Sequence, residues 1–338
     1  MNHKFLAWTA AATGAPVTAQ SHFKKTLGPF DVDVKVSHCG ICHSDLHLLA
    51  NDWGISTFPL VAGHEIVGHV SDLGASVTHL TRGQRVGIGW QSGSCGTCES
   101  CVKGDENLCP ASQATCVGNF GGFSEYVQTD SRFAFPIPEA LASENVAPLL
   151  CAGITVYAPY RVFNVKPTDR IGVIGIGGLG HLAIQFGKAW GCEVTAFSSS
   201  PDKEAEARKF GASKFISSTN PKLMAEAASS LDFIISTVNV DLDWPSFVNG
   251  LRPDGKLCFV GIPPSNLNIS VLSLLGGRRS ICASPIGGRH LIREMLEFAA
   301  RHQIVAQTEV VPMTSVNEAL AKVAANKARY RMVLKADF

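Results

Sequence analysis

Four cysteines in the first half of the chain have a spacing that favours metal binding. Two residues separate each of the first three, and seven separate the third from the fourth: Cys95, Cys98, Cys101 and Cys109. Four thiolates so spaced can close a tetrahedron around Zn²⁺ with no open position, as in structural zinc sites. The same ligands can hold an iron–sulfur cluster, so the spacing leaves the metal open. Unconnected or disulfide-paired cysteines are the alternative, but three cysteines in seven residues on adjacent turns are a poor layout for disulfides.

A second set of potential metal ligands is dispersed along the chain. Cys39 and Cys42 precede a run with two histidines, and His64, Glu65 and Cys151 follow at long intervals. Two thiolates and one imidazole leave a fourth position for water or substrate, which is a ligand set of catalytic zinc. Spacing alone does not show that distant residues converge. By themselves, the histidine could be an ordinary hydrogen-bonded side chain and the last cysteine a buried apolar one.

A glycine-rich segment lies between a predicted strand at 170–174 and a predicted helix at 180–190. Its residues are Gly175, Ile176, Gly177, Gly178, Leu179 and Gly180. In this context a G-x-G-x-x-G motif permits a tight turn and a close approach of the backbone to a pyrophosphate, whose charge the helix N-terminus stabilises. A second strand is predicted at 193–197. The segment therefore predicts a dinucleotide site; a glycine-rich turn without a ligand is the alternative.

The end of that second strand indicates which dinucleotide binds. A carboxylate there would hold the ribose 2′-hydroxyl of NAD, whereas this chain has Ser198, Ser199 and Ser200, followed by Asp202 and Lys203. Hydroxyls and a lysine can bind a 2′-phosphate, which a carboxylate would repel. We therefore expect NADP(H). Asp202 argues against NADP(H), although it lies beyond the strand end and can begin the next helix. A solvated turn without a ligand is the alternative explanation of the serines.

The elements that must position these groups change in character near residue 165. Residues 1 to about 150 favour short strands; residues 31–36, for example, alternate valines with charged side chains, as in a half-buried strand. After residue 165 strands and helices alternate, which predicts a parallel sheet covered by helices. The other predicted helices lie at 202–210, 291–301 and 315–325, and the other predicted strands at 231–235, 256–260 and 332–334.

Composition excludes several classes of partner. The chain has 338 residues, 46% hydrophobic and 17% charged, which is typical of a globular protein of two domains. A net charge of +1 provides no basic surface for nonspecific binding of nucleic acid or an anionic membrane. No run reaches the roughly 18 apolar residues of a membrane-spanning helix. Eleven cysteines, an odd number in a large chain, favour reduced thiols and metal ligands in the cytoplasm over a disulfide framework.

Together these motifs resemble the zinc-dependent medium-chain alcohol dehydrogenases, in particular the cinnamyl alcohol dehydrogenase branch with its broad-range NADPH aldehyde reductases. The resemblance covers essentially the whole chain. It rests on the strings CGICHSDLH (39–47), GHEIVG (63–68), PLLCAG (148–153) and SSS (198–200). It implies an α/β fold of two domains. A GroES-like β-rich catalytic domain would span 1–152 and 290–338, and a Rossmann NADP-binding domain with a doubly wound parallel sheet would span 153–289.

The resemblance also implies how the metal ligands divide. Cys42, rather than Cys39, matches the first ligand of the catalytic zinc because it directly precedes the His-Ser-Asp run. His64 and Cys151 match the other two ligands. Glu65 matches a carboxylate that lies behind the metal and can exchange with its bound water. A structural zinc in the four-cysteine cluster would bring the total to two zinc ions per chain.

Further roles are implied for residues around the metal and the cofactor. Ser44 matches the hydroxyl that relays the substrate proton, and His47 matches the outer end of that relay, because an imidazole exchanges protons near neutral pH. His43 matches a residue that faces the cofactor pyrophosphate. Thr155 matches a residue beside the nicotinamide ring, and Arg331 matches a C-terminal contact of the pyrophosphate.

Two features concern the substrate pocket. The stretch 109–122 is shorter than in the relatives, which alters the expected rim of the pocket. Trp53 and Trp90 precede the second and third site segments, where the family places pocket walls, so we expect aromatic walls for an apolar or aromatic aldehyde. Burial of these two side chains in the core is the alternative.

These expectations describe an NADP-dependent zinc alcohol dehydrogenase that acts mainly as a reductase of aromatic or medium-chain aliphatic aldehydes. The resemblance also implies a homodimer. A polyol or secondary-alcohol dehydrogenase is the alternative within the class. A noncatalytic, zinc-stabilised dinucleotide sensor would keep the glycine motif and the four-cysteine cluster, but it does not need Cys42, Ser44, His47 and His64 together.

Overall fold

The computed structural model describes residues 3–338, which form two compact units. The first contains the residues up to Ile154 together with Gly287–Phe338, and the second is Thr155–Ile286. The first unit is therefore built from two stretches of chain. The domain boundaries after residues 152 and 289 stay predictions. Among residues 3–338, no helix combines the length and the apolar character needed to cross a membrane.

Seventeen strands and eleven α-helices are present in the described residues. The strands are β1 (Lys4–Thr9), β2 (Thr18–Phe23), β3 (Asp31–Ile41), β4 (Glu65–Leu73), β5 (Arg85–Ile88), β6 (Gln91–Gly93), β7 (Gln113–Ala114), β8 (Tyr126–Asp130), β9 (Ala134–Pro136), β10 (Arg170–Ile174), β11 (Glu193–Ser198), β12 (Lys214–Ser217), β13 (Leu231–Ser236), β14 (Leu251–Phe259), β15 (Ser280–Ala283), β16 (Thr308–Pro312) and β17 (Arg331–Lys335). The helices are α1 (His43–Ala50), α2 (Glu99–Lys103), α3 (Ser143–Val146), α4 (Ala152–Val162), α5 (Gly180–Trp190), α6 (Glu204–Phe210), α7 (Pro221–Glu226), α8 (Trp244–Gly250), α9 (Val271–Leu275), α10 (Arg289–His302) and α11 (Val316–Ala324).

The first unit is built on a mixed sheet of seven strands. Its order is β16-β17-β3-β4-β5-β9, with β8 also paired to β3. Strands β16 and β17 are parallel, and the other pairs described are antiparallel. The pairs β1-β2 and β6-β7 form two small sheets. Strand β3 lies inside this sheet and ends two residues before α1 begins, so it leads the chain from the core directly to that helix.

Strand β3 shows where alternation predicts burial and where it does not. Val32, Val34 and Val36 are buried, as predicted. The charged side chain between the first two is buried as well: Asp33 is 1% exposed and accepts a hydrogen bond from Lys24 Nζ at 2.6 Å. The register also shifts at this point of the β3-β4 pair. A cationic partner and an irregular strand thus bury a carboxylate that simple alternation assigns to the solvent side.

The second unit contains a six-stranded parallel sheet in the order β12-β11-β10-β13-β14-β15. The chain starts at the centre of the sheet with β10, proceeds to the edge at β12, and then returns to the centre and continues to the other edge at β15. This is the doubly wound Rossmann order. In such sheets ligands bind at the carboxyl ends of the strands where the order reverses, here between β10 and β13. The glycine motif follows β10 and so lies at that point.

Most predicted elements are confirmed, with shifted ends. Helix α5 spans the predicted residues and ends before Gly191, whose φ is 104°. Helix α6 begins at Glu204 rather than at Asp202, because a 3₁₀ turn over Pro201–Lys203 precedes it. The strand predicted at 31–36 continues to Ile41. Helix α1 was not predicted, because its polar first turn has no apolar periodicity.

Candidate active site

Cys42 is fixed at the junction of β3 and α1. Its backbone N–H donates to Asp45 Oδ2 at 2.9 Å. Asp45, the third residue of α1, is completely buried. An acidic side chain at this position satisfies a free N–H group at the helix start and interacts favourably with the helix dipole. The helix start therefore holds the backbone of this candidate ligand and places a carboxylate beside it.

The same carboxylate orients His64. His64 Nδ1 donates to Asp45 Oδ1 at 2.8 Å, and the Gly63 N–H donates to the same oxygen at 2.9 Å. Burial lowers the pKa of His64, but the Asp45 carboxylate and the Cys42 side chain together raise it well above its ordinary value. Within residues 3–338, Nε2 meets no hydrogen-bonding nitrogen or oxygen. Metal-binding histidines typically donate one ring nitrogen to a carboxylate and keep the other for the metal.

Four buried side chains from three separate segments of the chain converge at this point. One ligand atom from each of Cys42, His64, Glu65 and Cys151 lies within 4.8 Å of the others. A hydrogen bond from the Cys151 thiol holds the pKa of Cys42 well below its ordinary value and raises that of Cys151. In the described part of the chain, Oε2 of Glu65 is also without a hydrogen-bond partner. Burying these unpartnered polar atoms together is costly unless a cation compensates, so the donor set fits zinc.

Arg331 lies against the carboxylate of this cluster. It is 4% exposed, and its Nη2 forms an ion pair with Glu65 Oε1. Gly40 provides the space, since a Cβ there would lie 2.0 Å from Glu65 Oε2. Burial raises the pKa of Glu65 to about 7, although Arg331 opposes the rise. The structure thus places Arg331 in an internal ion pair, and its contact with a pyrophosphate stays a prediction.

Ser44 and His47 lead along α1 from the cluster towards solvent. Ser44 Oγ is 3.7 Å from Cys42 Sγ. His47 is three residues further along the helix, hence on the same side, and it is partly exposed. Its Nδ1 is 2.7 Å from Oδ2 of the exposed Asp52. A hydroxyl beside a candidate ligand, an imidazole at the surface and an acid in solvent are suitable components of a proton relay.

Trp53 and Trp90 form an aromatic cluster with two of the predicted site histidines. The Trp90 ring centroid is 5.0 Å from that of His64 and 5.9 Å from that of Trp53. The Trp53 ring centroid is 5.1 Å from that of His47. Trp53 is 38% exposed, so it is not a core residue. Trp90 thus lies beside the candidate ligand His64 and Trp53 beside His47, and the contact of either ring with a substrate stays a prediction.

The four-cysteine cluster lies within residues 95–109, here termed the lobe, with Cys95 exposed and Cys101 and Cys109 buried. Cys95 Sγ is 3.9 Å from Cys101 Sγ and 3.6 Å from Cys109 Sγ, and the set is completed by Cys98. A tetrahedron with Zn–S bonds of about 2.3 Å has edges of about 3.8 Å, which these distances match. Backbone N–H groups, first that of Thr97, lower the pKa of Cys95 to about 6. The lobe is thus arranged as a closed site of four sulfur ligands.

The glycine motif in the second unit has the backbone that a dinucleotide needs. Gly175 has a φ of 87°, and a Cβ at Gly180 would lie 1.8 Å from its carbonyl oxygen, so glycine is required at both positions. A Cβ at Gly177 would meet nothing within 4 Å, which leaves that side open for a ligand. Gly178 and Leu179 complete the turn before α5.

The serine run and Lys203 lie beside this motif. Lys203 Nζ donates to the carbonyl oxygen of Ile176 in the motif at 2.8 Å. Ser198 ends β11 and accepts a hydrogen bond from the Ser200 N–H at 3.1 Å, while Ser199 is exposed. The structure therefore places Lys203 against the glycine motif and the serine run at the end of the neighbouring strand β11.

The remaining predicted residues are placed as follows. His43 is the first residue of α1, and burial lowers its pKa. Thr155 lies in α4, in the second unit, and is 8% exposed. The contacts of both residues with a dinucleotide stay predictions.

The short stretch 109–122 supports Trp90 and also borders a cavity. The Thr115 N–H donates to the Trp90 carbonyl oxygen at 2.8 Å. Gln113 and Phe120 line a cavity of about 320 Å³ together with Lys24 and Tyr126. The residues that line this cavity include none of the predicted site residues.

Comparison with known proteins identifies the family. Residues 28–139 match the alcohol dehydrogenase GroES-like domain, and residues 178–301 match the zinc-binding dehydrogenase domain. The aldehyde reductase AdhA of Synechocystis is 46% identical over 91% of this chain and 92% of its own length. The solved cinnamyl alcohol dehydrogenase of Sorghum bicolor is 38% identical, with a TM-score of 0.93 over 98% of both chains. The CAD of Helicobacter pylori, solved with NADP(H), is 30% identical, with a TM-score of 0.90 over 99% of both chains.

The chain therefore belongs to the zinc-dependent medium-chain alcohol dehydrogenases. It is an oxidoreductase acting on alcohols and aldehydes, and the predicted fold class is confirmed. The structure adds Asp45 and Asp52, which sequence reasoning did not select. The available signal for Asp45 was an acidic residue shortly after a candidate ligand at a helix start.

Proposed function

We propose that this enzyme binds zinc through Cys42, His64 and Cys151 and acts mainly as an NADPH-dependent aldehyde reductase. The convergence of these three buried side chains, with Nε2 of His64 free of nitrogen and oxygen partners among residues 3–338, carries the proposal. A zinc ion held there would supply Lewis acidity to the substrate oxygen at a fourth position. Reduction would then deliver a hydride from the nicotinamide to the carbonyl carbon.

Side chains around the ligands would orient them and move the proton. Asp45 accepts a hydrogen bond from Nδ1 of His64, which would leave Nε2 to hold the metal. Ser44 would donate a proton to the oxygen of the reduced substrate. His47, hydrogen-bonded to Asp52 at the surface, would exchange that proton with solvent. In alcohol oxidation the same groups would remove the proton.

We propose a second, structural zinc in the lobe. The thiol separations of 3.6 and 3.9 Å support it, as does the absence of any other residue type from the four-member set. Four thiolates leave no open position, so this ion would stabilise the fold and take no part in the chemistry.

We propose NADP(H) as the cofactor. A 2′-phosphate at the end of β11 would meet the Ser198–Ser200 run and the Lys203 ammonium group, which already lies at the glycine motif. An ammonium group and hydroxyls favour a dianionic phosphate over a neutral ribose hydroxyl. A relative, the CAD of Helicobacter pylori, was solved with NADP(H), and this supports the proposed cofactor.

Steady-state kinetics of Lys203→Glu test the cofactor. We expect kcat/KM for NADPH to exceed that for NADH in the wild type, and Lys203→Glu to reduce NADPH efficiency by about tenfold or more, because a carboxylate repels the phosphate. NADH efficiency should be retained, which distinguishes lost phosphate binding from a damaged glycine motif. Lys209→Glu makes the same charge change at an exposed position of α6 and should have no effect. Equal use of both cofactors by the wild type would contradict the proposal.

We propose apolar aldehydes, aromatic or medium-chain aliphatic, as substrates. The tryptophan rings beside His64 and His47 support an apolar wall. A panel of aromatic aldehydes, aliphatic aldehydes and sugars assayed with NADPH tests this. A clear preference for sugars would instead identify a polyol dehydrogenase.

We propose a cytoplasmic homodimer. Eleven cysteines that include two metal-binding sets suit a reducing compartment. The surface we expect a second copy to cover includes α9, where Val271, Leu272 and Leu275 are each more than half exposed.

A further inference from the structure

Two cysteines outside both proposed metal sites face each other in the second unit. Cys258 on β14 and Cys282 on β15 are directly paired in a parallel register. Paired residues of neighbouring strands point to the same face, and the strands lie about 4.8 Å apart. That separation is within the Cα range of about 4.4–6.8 Å that disulfides span. Neither cysteine is disulfide-bonded among the described residues.

The two thiols differ in accessibility and acidity. Cys258 is fully buried, whereas Cys282 is partly exposed. A hydrogen bond from the Cys258 thiol lowers the pKa of Cys282, and Lys256 lowers it further. The same hydrogen bond and burial raise the pKa of Cys258. Lys256 is two residues before Cys258 on β14, hence on the same face of the sheet. Cys282 Sγ lies 3.7 Å from the Leu257 carbonyl oxygen. An accessible thiol of lowered pKa beside a second thiol is the arrangement of peroxide-sensitive cysteines.

We propose that Cys282 and Cys258 form a peroxide-reactive pair, in which Cys282 is oxidised and Cys258 then closes a reversible disulfide between β14 and β15. The Cys282 thiolate attacks hydrogen peroxide, breaks the O–O bond and becomes a sulfenic acid as hydroxide leaves. The Cys258 sulfur attacks the sulfenic sulfur, the S–S bond forms, and the S–OH oxygen leaves as water with the Cys258 thiol proton. Two electrons pass from the thiols to the peroxide, and a dithiol reductant reverses the reaction.

Cys192 provides an internal control. It lies in the same unit, is 4% exposed, and donates to the Lys166 carbonyl oxygen at 3.3 Å. Burial raises its pKa to about 12. We therefore expect it to stay reduced under conditions that oxidise Cys282.

Peptide mapping of the zinc-loaded, full-length enzyme tests the pair. After brief exposure to hydrogen peroxide, remaining thiols are alkylated and the chain is digested with trypsin without reductant. Cleavage yields peptides 257–278 and 280–289, each with one cysteine. We expect these two peptides to be joined by a disulfide, with a mass two hydrogen atoms below the sum of the two reduced peptides. Treatment with dithiothreitol should separate them. Cys282 should react at least about tenfold faster than Cys192.

The variant Cys258→Ala tests the order of steps. Without the second thiol, the sulfenic acid at Cys282 should accumulate and be trapped by dimedone. Three results would overturn the proposal: an unmodified Cys282 while Cys192 reacts, a disulfide joining Cys282 of two chains, or no dimedone adduct in Cys258→Ala.

Discussion

The two cysteine-containing sites of the first unit differ in how the chain builds them. The lobe collects four thiols from one stretch of fifteen residues, Cys95 to Cys109, and leaves its first cysteine exposed. The buried cluster instead collects its members from the end of β3, the start of β4 and the residue before α4. The lobe thiols contact mainly one another and backbone N–H groups, whereas Asp45, Arg331 and Trp90 contact members of the buried cluster. A closed set of like ligands suits a structural ion, and a mixed set with orienting neighbours suits chemistry.

Ser44→Ala should have the largest effect of the substitutions that spare all metal ligands. Removing the hydroxyl beside Cys42 should lower kcat by about 10²-fold, since proton transfer by a positioned group contributes that much or more. The variant should keep its zinc and its melting temperature, and Ser44→Thr, which retains a hydroxyl, should recover much of the activity. A kcat within about twofold of wild type would remove Ser44 from the relay.

Asp45→Asn should weaken zinc binding at the buried cluster alone. Loss of the carboxylate that orients His64 should lower zinc affinity there by about 10- to 100-fold. Chelator competition, followed by metal analysis, measures this, and the lobe zinc serves as the internal control. Asp72→Asn, which changes an exposed acid paired with Arg82, should leave both affinities unchanged. Equal weakening of both ions by Asp45→Asn would contradict the distinction between the sites.

Cys98→Ser should have the smallest effect on chemistry. Loss of the lobe ion should lower Tm by at least about 5 °C, because metal binding free energy is folding free energy. The kcat of the chains that remain folded should change by less than about threefold. Cys192→Ser, a change outside both sites, should alter neither zinc content nor kcat. A large loss of kcat in Cys98→Ser at a temperature where it is fully folded would give the lobe a catalytic role.

The same contrast explains how far the sequence could predict the molecule. The lobe and the glycine motif are local, so spacing and flanking elements suffice to recognise them. The convergence of Cys42, His64 and Cys151 depends on strand pairing over more than a hundred residues, and only the family resemblance predicted it. The role of Asp45 arises from tertiary contacts that no periodicity shows. Burial of Asp33 was unexpected for the same reason, because its partner Lys24 lies on a separate segment.

Zinc content of purified protein tests the central claim most directly. Metal analysis should give about two zinc ions per chain in the wild type and about one in the double variant Cys42→Ala/His64→Ala, which should be folded but inactive. Retention of the lobe ion in that variant would show that the two sites bind independently. Wild-type protein without zinc, or a double variant that keeps two ions, would contradict the account.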